Sequence, residues 1–269
     1  MAFLLVVWQF LRNTAECKFC SPAENSKGLI ISKEKREFIF PDVTIAKIVK
    51  QPFFFPSILA GPIDTYNNFE YWIANKRRSY QRVLFFAGIT RIFLGAFKTI
   101  GIVPLIITHA TSYSLYLADY SPTTAIFLNA ITYSAYIYID FSGYSDIAIG
   151  TAYMVGIKTP ENFDSPYLAK NLSIFWRKWH ITFSKFLGLY VFRPVIALYN
   201  SIFNPNYRLI VSIMGYLTTF TICGLWHGDS MNFVLWGLWH GVGLSINKIW
   251  TSKLKGRFIK KETLIYNGL

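Results

Sequence analysis

Residues 224–241 read GLWHGDSMNFVLWGLWHG, so the pentapeptide GLWHG occurs twice, at 224–228 and again at 237–241. Apolar runs flank the segment on both sides. About 20 apolar residues suffice to cross the hydrocarbon of a bilayer. Two spans are therefore expected, over residues 209–227 and 231–249, with a tight turn at Gly228, Asp229 and Ser230. Backbone groups in lipid must be satisfied internally, so such spans are helices. If one helix ran unbroken through both pentapeptides, thirteen residues would rotate about 1300° and rise roughly 20 Å. The rings of His227 and His240 would then face nearly opposite ways. With the turn in place, His227 sits in the last turn of one helix and His240 well inside the next. That geometry favours His227 as the chemical histidine and gives His240 a structural hydrogen bond.

The rest of the chain has the same character. Hydrophobic residues make up 53% of the 269 and charged residues 15%, against roughly 25% charged in an ordinary soluble domain. The net charge of +13 fits nucleic acid or an anionic membrane face. Placement decides between them. The basic residues fall in short blocks between apolar runs, among them Lys76, Arg77, Arg78 and Arg82, then Arg177, Lys178 and Lys185, then Lys253, Lys255, Arg257, Lys260 and Lys261. This is the positive-inside pattern of a multi-pass membrane protein, whereas a nucleic-acid domain more often lines its basic residues along one solvated face. Three cysteines are too few for a disulfide framework. Cys17 and Cys20 form a CxxC with no second pair, and Cys223 lies in an apolar run. No signal peptide is evident at the N-terminus.

Three regions follow. Residues 1–51 are expected to be an apolar stub and a charged cytoplasmic segment, 52–250 a membrane core, and 251–269 a basic cytoplasmic tail. In the core, residues 52–63 carry three prolines and a glycine, which suggests a re-entrant segment. Residues 83–107 form a span interrupted by Arg91 and Lys98, seven residues apart and so on one helical face. They either snorkel or pair within the bundle, or they line a polar pathway or contact an anion. Residues 123–157 are too long for one span, and Asp140 to Asp146 suggest a broken helix. Ser165 and Pro166 suit an N-cap followed by proline at the first helical position. Residues 173–190 are expected to form one amphipathic interfacial helix, with Phe175, Trp179, Phe183 and Phe186 on one face. Arg193 and Pro194 are expected to stop residues 187–200 from crossing. The fold class is all-α, a polytopic membrane protein with re-entrant and interfacial helices.

The chemistry is narrow. There is no GxSxG elbow, HExxH zinc site or phosphate-binding loop. No metal site is expected. His180, on the interfacial helix, is either a ring bonded to the next turn or a second site residue; His109 is structural or solvated. An imidazole that is neutral near pH 7 can take a proton from an attacking hydroxyl. That suits acyl transfer from a thioester, whose acyl group is already activated.

Five ordered motifs carry a resemblance: FFFPSILAGPID (53–64), IDFSGYSDIAIG (139–150), GIKTPENF (156–163), FWRKWHITFS (175–184) and GLWHGDSMNFVLWGLWHG (224–241). Over roughly residues 50–250 the chain resembles the membrane-bound O-acyltransferases, in the bacterial branch of alginate O-acetylation and teichoic-acid D-alanylation. The resemblance implies catalytic roles for His227, at the family's essential histidine, and for His180. They would line a tunnel in the cytoplasmic membrane. It implies no bound cofactor, and an acyl thioester donor on the cytoplasmic side, either acyl-CoA or an acyl carrier protein. It also allows an extracytoplasmic acyltransferase partner, with membrane lipids around the chain. The acyl group would be acetyl or D-alanyl and the acceptor a cell-envelope polysaccharide. Family members are usually longer before the FFFP motif, so a truncated or split form is expected. A non-catalytic transport or scaffold component, or an inactive fragment, is the alternative.

Overall fold

The computed structural model describes residues 54, 61–74, 78–109 and 121–266, with backbone alone for 66–67, 78–80 and 254–266. All regular elements among the described residues are helical. The expected N-terminal stub and most of the proposed re-entrant segment lie outside them. The chain divides into two compact units, Met1–Pro160 and Glu161–Leu269.

In the first unit, α1 is Tyr66–Ala74, α2 is Arg78–Ala96 and α3 is Pro122–Met154. Helix α2 continues through a π-helical turn, Phe97–Ile102, into helical residues 103–109. The whole run Gln81–His109 is long and apolar enough to cross a membrane. Helices α2 and α3 run antiparallel and meet through glycine. A Cβ on Gly88 would lie 2.5 Å from the Gly150 carbonyl, and one on Gly95 2.5 Å from the Gly143 carbonyl. The reverse approaches are 2.6 Å and 3.0 Å. Small residues let two backbones approach this closely in lipid.

The expected break in α3 is absent: Asp140 to Asp146 lie inside a continuous 33-residue helix. Gly143 serves contact with α2 rather than a bend. The Ser142 hydroxyl donates to the Ile139 carbonyl at 3.2 Å, and Asp146 is paired. Arg91 Nη2 lies 3.2 Å from Asp146 Oδ1 and Lys98 Nζ lies 2.6 Å from Asp146 Oδ2. Arg91 and Lys98 thus pair with Asp146 within the helix bundle, Arg91 between the two glycine contacts and Lys98 one turn past Gly95. At the start of α1, buried Asp64 accepts from the Thr65 N–H at 2.7 Å and from Asn68 Nδ2, which also donates to the Lys158 carbonyl at 3.0 Å.

In the second unit, α4 is Leu172–Lys178, α5 Ile181–Leu187, α6 Arg193–Ile202, α7 Arg208–His227 and α8 Met231–Tyr266. Two expectations change here. The single helix expected over 173–190 is split at Trp179 and His180. The Arg193–Pro194 interruption does not end the next helix: Ile181–Ile202 is continuous and is a second candidate span. A π-helical turn, Gly188–Phe192, stands just before Pro194, as Phe97–Ile102 stands before Pro104. The widened turn accommodates a proline ring that would otherwise strike the preceding carbonyls.

Pro205–His227 is the third candidate span among the described residues. The expected span 231–249 lies within α8 but is not one of the three. Its tryptophans, glycines, histidine and asparagines lower the mean hydropathy. The basic tail continues α8 to Tyr266. Helices α7 and α8 are antiparallel about the Gly228–Ser230 turn and also cross at glycine. A Cβ on Gly237 would strike the Phe220 carbonyl, and one on Gly224 the Phe233 carbonyl.

Candidate active site

The site is built where α4 gives way to α5. Trp179 is extended, and His180 is left-handed at φ 42°, ψ 57°. A non-glycine residue in that region is uncommon, although histidine tolerates it better than most. His180 stands at the N-cap of α5 without using its side chain as the cap. Asn162, from the loop before α4, does that work. Its carbonyl accepts the Ile181 N–H at 2.8 Å. Its Oδ1 accepts the Thr182 hydroxyl at 2.7 Å and the Thr182 N–H at 3.4 Å. The orphan donors of the first helical turn are satisfied from a distance. Asp164 completes the brace, its N–H donating to the Lys178 carbonyl at 3.0 Å and its carboxylate pairing with Lys178 Nζ at 3.0 Å. Phe163 packs edge-on against Trp179, with ring centroids 5.2 Å apart. Ser165, expected as an N-cap, is itself left-handed and makes no side-chain cap bond, while Pro166 does open the short turn Pro166–Leu168.

From His180 a run of ring contacts leads to the GLWHG histidines. The His180 imidazole stacks on Phe183 at 5.0 Å, Phe183 meets Trp226 at 4.5 Å, and Trp226 meets His227 at 4.7 Å. His227 is the last residue of α7 and is exposed. Its ring lies 5.1 Å from that of Trp236, whose indole is in turn 4.8 Å from His240. Trp176 closes the other side, 5.1 Å from His240 and 4.9 Å from Phe220. The turn at 228–230 therefore brings both pentapeptide histidines against one indole. His240 belongs to the same aromatic cluster as His227. Burial holds the His180 imidazole down to about 3, with repulsion from His227 adding to the effect. It is neutral across the physiological range.

The spacing of Phe175, Trp179, Phe183 and Phe186 signals an aromatic face but not the break within it. Asn162, Trp176 and Trp236 are the residues that sequence reasoning missed. Asn162 lies in a quoted motif, yet nothing in the motif shows which turn it caps. Among the described residues no three His, Cys, Asp or Glu side chains come together as a metal site. His109 is exposed at the end of the first span, and Cys223 is a buried free thiol. Cys17 and Cys20 lie outside the described residues.

Residues 35–267 match the model of MBOAT, the membrane-bound O-acyltransferase family. The chain belongs to the membrane-bound O-acyltransferases. This family member is 32% identical over 208 residues to a teichoic acid D-alanyltransferase of Bacillus subtilis, covering 75% of this chain and 51% of the relative. It is 32% identical over 199 residues to a peptidoglycan O-acetyltransferase of Helicobacter pylori, covering 74% and 36%. It is 33% identical over 195 residues to a probable alginate O-acetylase of Pseudomonas putida, covering 72% and 38%. The chain spans about half the length of the first of these relatives and less of the other two. Family membership and three apolar helices make this O-acyltransferase relative a membrane protein.

Proposed function

We propose that this chain carries the acyl-transfer centre of a multi-pass protein of the cytoplasmic membrane. It moves an acetyl or D-alanyl group from a cytoplasmic thioester, either acyl-CoA or an acyl carrier protein, toward hydroxyls of a cell-envelope polysaccharide. The observation that carries this is the short run of rings joining His180 to His227 at the exposed end of α7. The named relatives transfer D-alanyl or acetyl groups, so both stay in the proposal.

In this reading the neutral imidazole of His227 accepts the proton of the acceptor hydroxyl as that oxygen attacks the thioester carbonyl. The C–O bond forms and the tetrahedral adduct collapses, breaking the C–S bond. The imidazolium returns its proton to the departing thiolate. A neutral His180 can donate one hydrogen bond and accept another, which suits holding donor or acceptor in line. The rings of Trp226, Phe233 and Trp236 lie against His227, and its exposure leaves it open to the substrates. No bound cofactor is required, because the donor arrives activated. An extracytoplasmic acyltransferase could take the acyl group onward.

The test is acyl analysis of surface polysaccharide from cells with the gene, without it, and with His227→Ala. The variant is expected to insert into membranes normally and transfer no acyl group. Full acylation by His227→Ala removes that residue from the mechanism, and acylation unchanged by loss of the gene removes the function.

A further inference from the structure

We propose that Asn162 is a positioning residue for this acyl transfer, setting the turn that presents the His180 imidazole. The inference rests on the reading of His180 and His227 given above. Asn162 is fully buried, at 0% exposure. A fully buried amide side chain is retained only where its hydrogen bonds are made. Here the side-chain Oδ1 accepts from the Thr182 hydroxyl and the Thr182 N–H, while the Asn162 main-chain carbonyl accepts the Ile181 N–H. On the other side, the bond from Asp164 to the Lys178 carbonyl fixes the residue that ends α4.

The left-handed backbone of His180 is thus held at both ends by one short segment, residues 162–164. A left-handed non-glycine residue persists only where its surroundings over-determine it. The side chain that would ordinarily cap α5 is the one at position 180. Because Asn162 supplies the cap, the imidazole is not spent on the helix start and stacks on Phe183 at 5.0 Å, facing the run of rings to His227. Thr182 is 5% exposed and Phe183 3%, so the turn has little room to settle elsewhere. Asn162 acts through His180 and touches neither substrate in this proposal.

The experiment uses the full-length protein in its native membranes, with its donor system present. Asn162→Ala, Asn162→Asp and His180→Ala are compared for kcat and donor KM. In the same membranes, carbethoxylation of each histidine by diethyl pyrocarbonate is followed by mass spectrometry. Asn162→Ala is expected to lower kcat by roughly 10–100-fold, the scale of a misplacement near 1 Å, with KM within about twofold. Asn162→Asp, which keeps the Oδ1 acceptor, recovers most of the rate. The labelling rate of His180 rises severalfold in Asn162→Ala while that of His109 stays constant. If Asn162→Ala fails to accumulate, Thr182→Val, which removes only the hydroxyl donor, is measured the same way and is expected to show a smaller change of the same kind. Unchanged kcat, or unchanged His180 labelling, in the variant that accumulates overturns the positioning role. If His180→Ala itself transfers at the full rate, the functional reading fails and Asn162 falls with it. If His180→Ala is impaired and Asn162→Ala is not, only the present inference falls.

Discussion

Gly237 lies against Gly224: a Cβ added to Gly237 would come within 3.2 Å of the Gly224 backbone nitrogen and would collide with the Phe220 carbonyl. The two copies of GLWHG thus meet through their first glycines, where α7 crosses α8. Their last glycines are also confined. A Cβ on Gly241 would lie 3.1 Å from Leu217 Cα, and one on Gly228 2.6 Å from the Phe233 ring. The duplication is a packing device of the small-xxx-small kind, and each copy carries a histidine with it. Gly237→Ala is expected to destabilise the protein by about 1–3 kcal/mol through overpacking. Gly188, with nothing within 4 Å of its Cβ position, is the control, and Gly188→Ala should be neutral. Thermal unfolding of the detergent-solubilised variants checks this; equal midpoints for both would refute the crossing.

Asp146 answers two cations at once, Arg91 and Lys98. Asp146→Asn leaves both without that carboxylate in a helix pair that offers little water. The side chains are 13–34% exposed, so the loss should be about 2 kcal/mol, below that for a wholly buried pair. Adding Lys98→Met to Asp146→Asn should recover part of it, because one stranded charge is removed. Chemical denaturation of the three proteins gives the comparison, and no difference between wild type and Asp146→Asn would contradict the pairing.

His180 predicts a pH dependence with a definite sign. Its folded value is lowered from 6.5 to about 3, so between those values the unfolded chain binds the proton more readily. Stability from this group is complete above pH 6.5 and is lost as pH falls toward 3, with a limiting slope of about 1.4 kcal/mol per pH unit. His180→Gln should flatten the melting-temperature profile between pH 6.5 and 4. A profile unchanged by that substitution would show that the imidazole is not held neutral.

His227 and His240 share Trp236 yet should differ in consequence. His227→Gln is expected to cut acyl transfer by roughly 10²–10⁴-fold, the range for loss of a general base. His240→Gln, farther along α8 and enclosed by Trp176 and Trp236, should retain transfer within about tenfold of wild type on the same scale. Steady-state rates in membranes decide the point. Equal losses would make the two histidines joint participants.

The first span and α7 were legible because a long apolar run admits few other structures in lipid. His227 at the end of a helix followed from the glycine and polar residues after it. The continuity of α3 was not legible, since a glycine that admits a neighbouring helix and a glycine that bends its own helix look alike in sequence. Asp146 read as a polar interruption because its partners lie on another helix. The split between α4 and α5 was hidden for a related reason. The aromatic spacing runs straight through Trp179 and His180, and the cap that permits the break comes from Asn162. Pro194 misled in the opposite direction, its clash being absorbed by the turn before it.

The two glycine contacts between α2 and α3 are seven residues apart on each helix. Their alignment is consequently keyed like a toothed joint. A slip of one turn would drive side chains such as Ile92 or Ile147, which already touch the opposing glycines, into main chain. The salt-linked carboxylate between the contacts would lose its cations in the same movement. Sliding one of these helices along the other is therefore opposed by main-chain contact and by charge together.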